Sequence, residues 1–381
     1  MAPLEYAGGG EFSAITLGNY LTSKSLEVSV LYDSQNRDLT RKSYSAIAEQ
    51  IKFKYGSVTY LKHMGIPFVK PLFHPLPKIS DLTSDGINLI FLHRIPWPNY
   101  LRSLKKSSVK VVFLFHGLSF EERWAPNIAV IFYEIWKRMI LYYSGKFLNS
   151  KKIYFQVFTA AVKNRLESVS ISKENIRVIP GSVVNFQRCQ VSKNDDLFLV
   201  IFLGRIENLQ KGIDRLIKVI KRVAKLHLKD LGFVILGEGT NKAKLMKSIA
   251  MESSVSYLGF VEEEDKIYWL SRANLMIITS NVEPWGLTVL EGLASGLEVL
   301  STPVSGPSEI LSKNKILGKI LGYSVSGFVK EIIREHQSWL NDKERFYFEK
   351  VRRKELARQL YDDKAVMVEY YSMIKDVISK D

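Results

Sequence analysis

The chain has 381 residues, 46% of them hydrophobic and 24% charged, and a formal net charge of +15. That is too apolar for a disordered chain and too long for one ordinary core, so two α/β-sized domains are expected. The single cysteine, Cys189, excludes an intrachain disulfide, and no CxxC, HExxH or Cys/His cluster offers a protein-held metal.

In chain order, Met1-Ala-Pro-Leu-Glu has no basic stretch followed by an apolar one, so no signal peptide is expected. A glycine run, Gly8-Gly9-Gly10-Glu11, precedes a predicted helix over Phe12–Leu21. Strands are predicted at Glu27–Tyr32, Ile87–Leu92, Val109–Phe115 and Lys152–Val157, with apolar runs typical of parallel strands covered on both faces. Pro126 suits a first helical position, and a helix is predicted from there to Tyr143. Its most apolar part, Ile128–Tyr143, carries Glu134, Lys137 and Arg138 and falls short of the roughly 20 apolar residues of a membrane span. A cytoplasmic protein is therefore expected. The aromatics from Trp124 onward, with Lys137 and Arg138, allow either a packed helix or a contact with the inner membrane face.

Pro180 to Asp196 is the best boundary, opened by Pro180-Gly181-Ser182 and closed by a polar run. A second βα series follows, with strands at Leu197–Leu203, Phe233–Leu236, Ser256–Leu258, Asn274–Thr279 and Val299–Thr302. After Gly212 a helix puts Ile213, Leu216, Ile217, Ile220 and Val223 on one side and Lys218, Lys221, Arg222, Lys225 and Lys229 on the other. Arg353 to Ser379 reads as one long amphipathic helix. The expected plan is an N-terminal domain over 1–185, a C-terminal domain over 186–355, and a last helix over 356–381 packing back on the first domain. Each domain holds a parallel sheet with right-handed crossovers.

The unusual residues of the second half fall just after its strands, where ligands of open parallel sheets bind. Gly204-Arg205 and Lys211-Gly212 follow the first, Gly237-Glu238-Gly239 the second, and Glu283-Pro284-Trp285-Gly286 the fourth. Arg205 suits a two-pronged phosphate contact and Lys211 a point-charge one. A helix starting near Gly286 would present the amides of Leu287 and Thr288 to an anion. Glu283, just before it, suits sugar hydroxyls, and Glu291, more than one turn inside, suits a ribose. Read singly, each of these residues is equally a solvated cation, a helix-dipole partner or a surface glutamate.

As a set they resemble the large retaining GT-B glycosyltransferase family (glycosyltransferase family 4-like) that includes bacterial mannosyltransferases and sucrose synthases. The likeness rests on Glu283 and Glu291 as a Glu-x7-Glu pair followed by Ala294-Ser295-Gly296. It extends to Phe202-Leu203-Gly204-Arg205 with Lys211-Gly212, to Gly237-Glu238-Gly239, to Leu258-Gly259-Phe260 and to Gly306-Pro307-Ser308-Glu309. The resemblance implies two Rossmann-like domains facing across a cleft and a nucleotide-diphosphate sugar, UDP- or GDP-linked, as co-substrate. It implies Arg205 and Lys211 on the diphosphate, Glu291 on the ribose, Glu283 on the sugar with Gly286–Thr288 assisting, and the base near Leu258–Val261. Gly237 would line the donor site, and Gly9 and Gly10 would match the family's glycine loop. His116, which follows the strand ending at Phe115 and precedes Gly117, resembles the family's active-site histidine. Retention without a metal or a bound cofactor follows from the same resemblance. One departure is that the family opens with a strand before its glycine loop. Here only Met1–Ala7 precede the glycines and Pro3 disfavours a strand, so that strand is absent, very short or upstream.

The +15 charge fits nucleic acid, an anionic membrane or phosphorylated substrates. No nucleic-acid-binding signature is present, so the expected partners are a nucleotide sugar and a glycan, lipid-linked or small-molecule acceptor. An anionic membrane surface is the further partner considered. A nucleotide-sugar epimerase or a phosphorylase is the alternative within the same fold, and a non-enzymatic nucleic-acid-binding protein is the alternative outside it.

Overall fold

The computed structural model describes residues 9–33, 54–58, 88–92, 98–115, 150–181, 186–193 and 196–380. Two compact units form, one from Met1–Leu118, Pro126–Val183 and Lys364–Asp381, the other from Ser119–Ala125 and Val184–Asp363.

In the first unit, helix α1 (Gly9–Ser23) leads into β1 (Ser29–Asp33), which pairs in parallel with β2 (Lys54–Val58). A second parallel sheet has the order β3-β4-β5-β6: Leu89–Leu92, Lys110–Phe115, Ile153–Val157 and Ile176–Val178. Helices α2 (Pro98–Lys106) and α3 (Ala160–Ser168) connect its strands, and Thr159 caps α3 by accepting from the Val162 N–H. Alternate residues of β4 serve opposite faces. Val111 and Phe113 pack with Leu104, Phe155, Val162 and Leu166. Val112 and Leu114 pack with Leu17 and Leu21 of α1 and with the chain's last helix.

The second unit holds a six-stranded parallel sheet in the order β9-β8-β7-β10-β11-β12. Its strands are β7 (Phe198–Leu203), β8 (Leu231–Leu236), β9 (Val255–Gly259), β10 (Leu275–Ile278), β11 (Glu298–Ser301) and β12 (Gly318–Ile320). Counted along the chain this is 3-2-1-4-5-6, the doubly wound order whose direction reverses between β7 and β10. The intervening helices are α4 (Asn208–Lys211), α5 (Ile213–Ala224), α6 (Lys242–Ile249), α7 (Glu263–Arg272), α8 (Leu287–Ala294) and α9 (Ser305–Ser312). Helices α10 (Val325–Asn341) and α11 (Lys343–Tyr361) follow β12. The predicted stripe of α5 is buried, joined by Val219, while Lys218, Lys221, Arg222 and Lys225 are exposed.

The helix predicted as continuous from Arg353 to Ser379 is two helices, α11 and α12 (Asp363–Ser379), broken at Asp362. The two pieces bury different faces in different cores. Lys350, Arg353, Ala357 and Tyr361 of α11 are buried in the second unit. Val366, Met367, Tyr370, Met373, Ile374 and Val377 of α12 pack on α1, β4 and β5 of the first. A straight helix cannot turn one stripe toward both. Strands β2, β6 and β12 were not predicted. The helix predicted over Pro126–Tyr143 lies outside the described residues, as do Met1–Gly8 at the expected first strand.

Lys350 illustrates how polar atoms are buried here. Its ammonium donates to the carbonyls of Ala273 (2.7 Å), Ser192 (3.2 Å) and Ser271 (3.2 Å), tying α11 to the start of β10. Burial, with Arg353 nearby, pushes its pKa down to about 7. Arg353 beside it donates to the carbonyls of Ile316 and Gly296, both at 2.6 Å, and lies 3.6 Å from the Glu298 carboxylate.

Candidate functional site

The carboxyl ends of β7 and β10 flank the point where the sheet's strand order reverses. After β7 the chain runs through Gly204-Arg205 into α4, whose start is capped by Glu207 accepting from the N–H groups of Leu209 (2.6 Å) and Gln210 (3.0 Å). Gly212 ends α4 at φ +66°. A Cβ there would stand 2.1 Å from the Thr279 carbonyl, so only glycine lets the two strand-end segments touch.

That contact laces the segments together. The Thr279 hydroxyl donates to the Lys211 carbonyl (2.9 Å), and the Asn281 N–H donates to the Gln210 carbonyl (2.7 Å). The Asn281 side-chain amide donates to the carbonyls of Asn208 (3.2 Å) and Leu209 (3.1 Å). Arg215 of α5 clasps the same loop. Its guanidinium donates to the Thr279 carbonyl, to Asn281 Oδ1 (3.2 Å) and to the Tyr323 carbonyl (3.2 Å), and stacks over the Tyr323 ring.

The lacing brings Lys211 and Glu283 together although 72 residues separate them. The Lys211 stem crosses Gly204, and its Nζ donates to Glu283 Oε2. Both side chains are largely buried, 15% and 12% exposed, so this pair is screened far less than a surface one. Arg205 is exposed, and its guanidinium donates to Gln210 of α4.

Glu283 is followed by the start of α8. Gly286, the predicted helix start, is its N-cap at φ +94°. Among the described residues no acceptor meets the N–H groups of Leu287 or Thr288, as at any helix start. Glu291 lies further along α8 and pairs with Lys266 of α7 at 2.7 Å. On the β8 side, Gly237 has φ +133°, and a Cβ there would lie 1.9 Å from the Gly204 carbonyl. The turns after β7 and β8 are thus stacked, with the Gly204 N–H on the Leu236 carbonyl (3.0 Å) and the Ile206 N–H on that of Glu238 (2.8 Å).

Arg205, Lys211, Gly237, Glu283, Gly286, Leu287, Thr288 and Glu291 therefore all sit at or just beyond the carboxyl edge of one sheet. Gly9 and Gly10 are the first two residues of α1, in the other unit. His116 lies outside the described residues. Sequence reasoning did not identify Arg215, Asn281 or Lys266. Arg215 carried a weak signal, as a cation on the inner half of the first turn of an otherwise outward-basic helix. Among the described residues, no group of three or more His, Cys, Asp or Glu side chains is arranged to hold a metal ion.

Comparison with known proteins bears on this arrangement. An uncharacterised glycosyltransferase of Methanocaldococcus jannaschii is 31% identical over 138 residues, 35% of this chain and 34% of the relative. The gpi3 subunit of the phosphatidylinositol N-acetylglucosaminyltransferase of Schizosaccharomyces pombe is 29% identical over 154 residues, 39% of this chain and 33% of the relative. The matched stretch thus spans about a third of these curated relatives. The crystal structure of Anabaena HepE in complex with UDP and glucose superposes with a TM-score of 0.69 at 15% identity, covering 97% of this chain and 96% of that one. At that identity the likeness is one of fold, and the fold is GT-B: two α/β units, each built on a parallel sheet. The family model described as glycosyl transferases group 1 matches residues 183–355, from the start of the second unit through most of α11. The Lys211–Glu283 pair and the head of α8 both fall inside the stretch that this family model matches.

Proposed function

We propose that the protein transfers a sugar from a nucleotide-diphosphate donor to a glycan, lipid-linked or small-molecule acceptor, with retention of anomeric configuration and without a metal. The observation that carries this reading is the meeting of Lys211, Glu283 and the α8 N-terminus at the switch point of the second sheet. A cation and a helix start aimed at one place suit a pyrophosphate.

In this reading Lys211 and Arg205 hold the donor diphosphate. The bond from the sugar's anomeric carbon to the β-phosphate oxygen breaks, and the developing charge meets Lys211, Arg205 and the amides of Gly286–Thr288. The acceptor oxygen bonds to the same face and loses its proton to the departing phosphate. Glu283 touches the donor sugar, Glu291 the ribose, and Gly237 keeps the turn beside the diphosphate close. By sequence pattern, Gly9 and Gly10 belong to the donor site, and His116 joins Glu283 as a catalytic residue. The first unit, with α12, serves the acceptor, and the second serves the donor. UDP in the HepE complex and the phosphatidylinositol in the gpi3 subunit's name support a uridine donor and a lipid-linked acceptor. The exposed basic side of α5, with the net charge of +15, supports contact with an anionic membrane surface. No helix of the described residues is long and apolar enough to cross a membrane.

The test is a thermal-shift screen with UDP-glucose, UDP-N-acetylglucosamine and GDP-mannose, since a tight donor raises stability by mass action. It is followed by transfer assays on Lys211→Ala and Glu283→Ala. Transfer should fall by about 100-fold or more in each variant, with an unchanged far-UV CD spectrum. Full transfer in both variants refutes the assignment. Nuclear magnetic resonance of the product's anomeric proton decides retention.

A further inference from the structure

Helix α7 begins just after β9, at the stretch Leu258–Val261 assigned above to the nucleotide base, and α8 carries Glu291, assigned to the ribose. One side chain joins the two helices. Lys266 Nζ lies 2.7 Å from Glu291 Oε1 and 2.7 Å from Glu263 Oε2, which is one turn earlier on α7. Lys266 and Glu291 are only about one-fifth exposed, 20% and 22%, whereas Glu263 is 55% exposed. Among the described residues Glu291 Oε2 accepts no hydrogen bond.

We propose that Lys266 is a positioning residue: it fixes the Glu291 carboxylate so that its remaining oxygen accepts from a ribose hydroxyl, which makes the site select ribonucleotide over deoxyribonucleotide donors. This rests on the reading that Glu291 meets the ribose. A glutamate on a helix has three rotatable bonds, and holding it for one hydroxyl costs rotamer entropy. An ammonium clamped between two carboxylates supplies that order before the ligand arrives. Hydrogen bonds to a charged acceptor are also stronger than those to a neutral one. The clamp holds its own charge as well. Burial works against the Lys266 ammonium, but Glu291 and Glu263 outweigh it, and its pKa is raised.

The experiment measures binding of UDP, 2′-deoxy-UDP and 3′-deoxy-UDP to the full chain by calorimetry. The variants are Lys266→Met, Lys266→Arg and Glu291→Gln. The readout is the ratio of deoxy to ribo dissociation constants for the more discriminated hydroxyl. In the wild type that ratio should be about 10-fold or more, the worth of one hydrogen bond to a charged group. Lys266→Met should bring it close to that of Glu291→Gln while changing the affinity for the deoxy ligand little, and Lys266→Arg should restore most of it. If the methionine variant loses its CD signal, Lys266→Gln takes its place with the same expected outcome. Equal weakening of all three ligands by Lys266→Met marks a helix staple or a phosphate contact and overturns the proposal. Wild-type discrimination in Lys266→Met alongside its loss in Glu291→Gln also overturns it. A ratio near one in the wild type, or one untouched by Glu291→Gln, overturns instead the ribose reading on which the proposal stands.

Discussion

Replacing Gly212 by alanine tests how the strand ends are held together. At φ +66° an L-residue costs about 1–2 kcal/mol more than glycine. The new methyl would also begin 2.1 Å from the Thr279 carbonyl oxygen, where real Cβ contacts stay beyond 3.0 Å, so one segment must shift by about 1 Å. Forced shifts of that kind cost about 1–3 kcal/mol. The combined loss is about 2–5 kcal/mol. The shift pulls Thr279 and Asn281 off their partners at Lys211, Gln210, Asn208 and Leu209, and so moves Glu283 relative to Lys211. A misplacement on this scale can lower turnover by about 100-fold. Urea unfolding of the whole chain, followed by far-UV CD, measures the stability, and calorimetry with UDP measures binding. Gly327→Ala is the internal control. It lies within α10, a Cβ there meets nothing within 4 Å, and alanine should stabilise by about 0.5–1 kcal/mol. A Gly212→Ala protein within about 0.5 kcal/mol of wild type, with unchanged UDP affinity, refutes the reasoning.

Arg353→Met strips a buried cation from Glu298 and from the carbonyls of Gly296 and Ile316, and should destabilise the second unit by about 3–5 kcal/mol in urea titrations. Arg353→Lys should recover only part of this, because a single ammonium cannot reproduce the guanidinium's three directions. Cys189 is buried, and burial raises its thiol pKa above the ordinary value. At pH 8 it therefore holds less thiolate than a free cysteine, and alkylation by iodoacetamide should be slow in the native protein. Full unfolding in urea should release one equivalent at the rate of a model thiol. Rapid native labelling would contradict the packing around it.

The long apolar runs were legible as strands because burial on both faces leaves no polar alternation. Phe198–Leu203 and Leu231–Leu236 are the clearest cases, each inside the predicted segment or extending it at one end. Strands β6 and β12 have three residues each and lie at sheet edges, too short for any periodicity to register. The break at Asp362 escaped because the buried face of α11 carries Lys350 and Arg353, so hydropathy does not show that its stripe points away from that of α12. Lys350 and Arg353 escaped for a related reason. They stand on the buried face of α11 with Ala357 and Tyr361, and hydropathy counts a lysine as outward whatever carbonyls await it. At the candidate site the sequence placed glycines, cations and carboxylates at strand ends. It could not reveal that Lys211 meets Glu283 or that Lys266 meets Glu291, since those pairings depend on strand order and loop lacing.

Helix α12 has a bearing on how the molecule is made. Its six apolar residues cover Leu17, Leu21, Val112, Leu114 and Tyr154, yet they are synthesised only after the strands and helices of the second unit. At ribosomal speed the interval from Ile179 to Val366 takes about 10–40 s. Throughout that time the opening half of the protein carries a bare greasy face while the second unit is still emerging. The nascent chain is then most exposed to aggregation, and a stop codon that removes only α12 would make this exposure permanent.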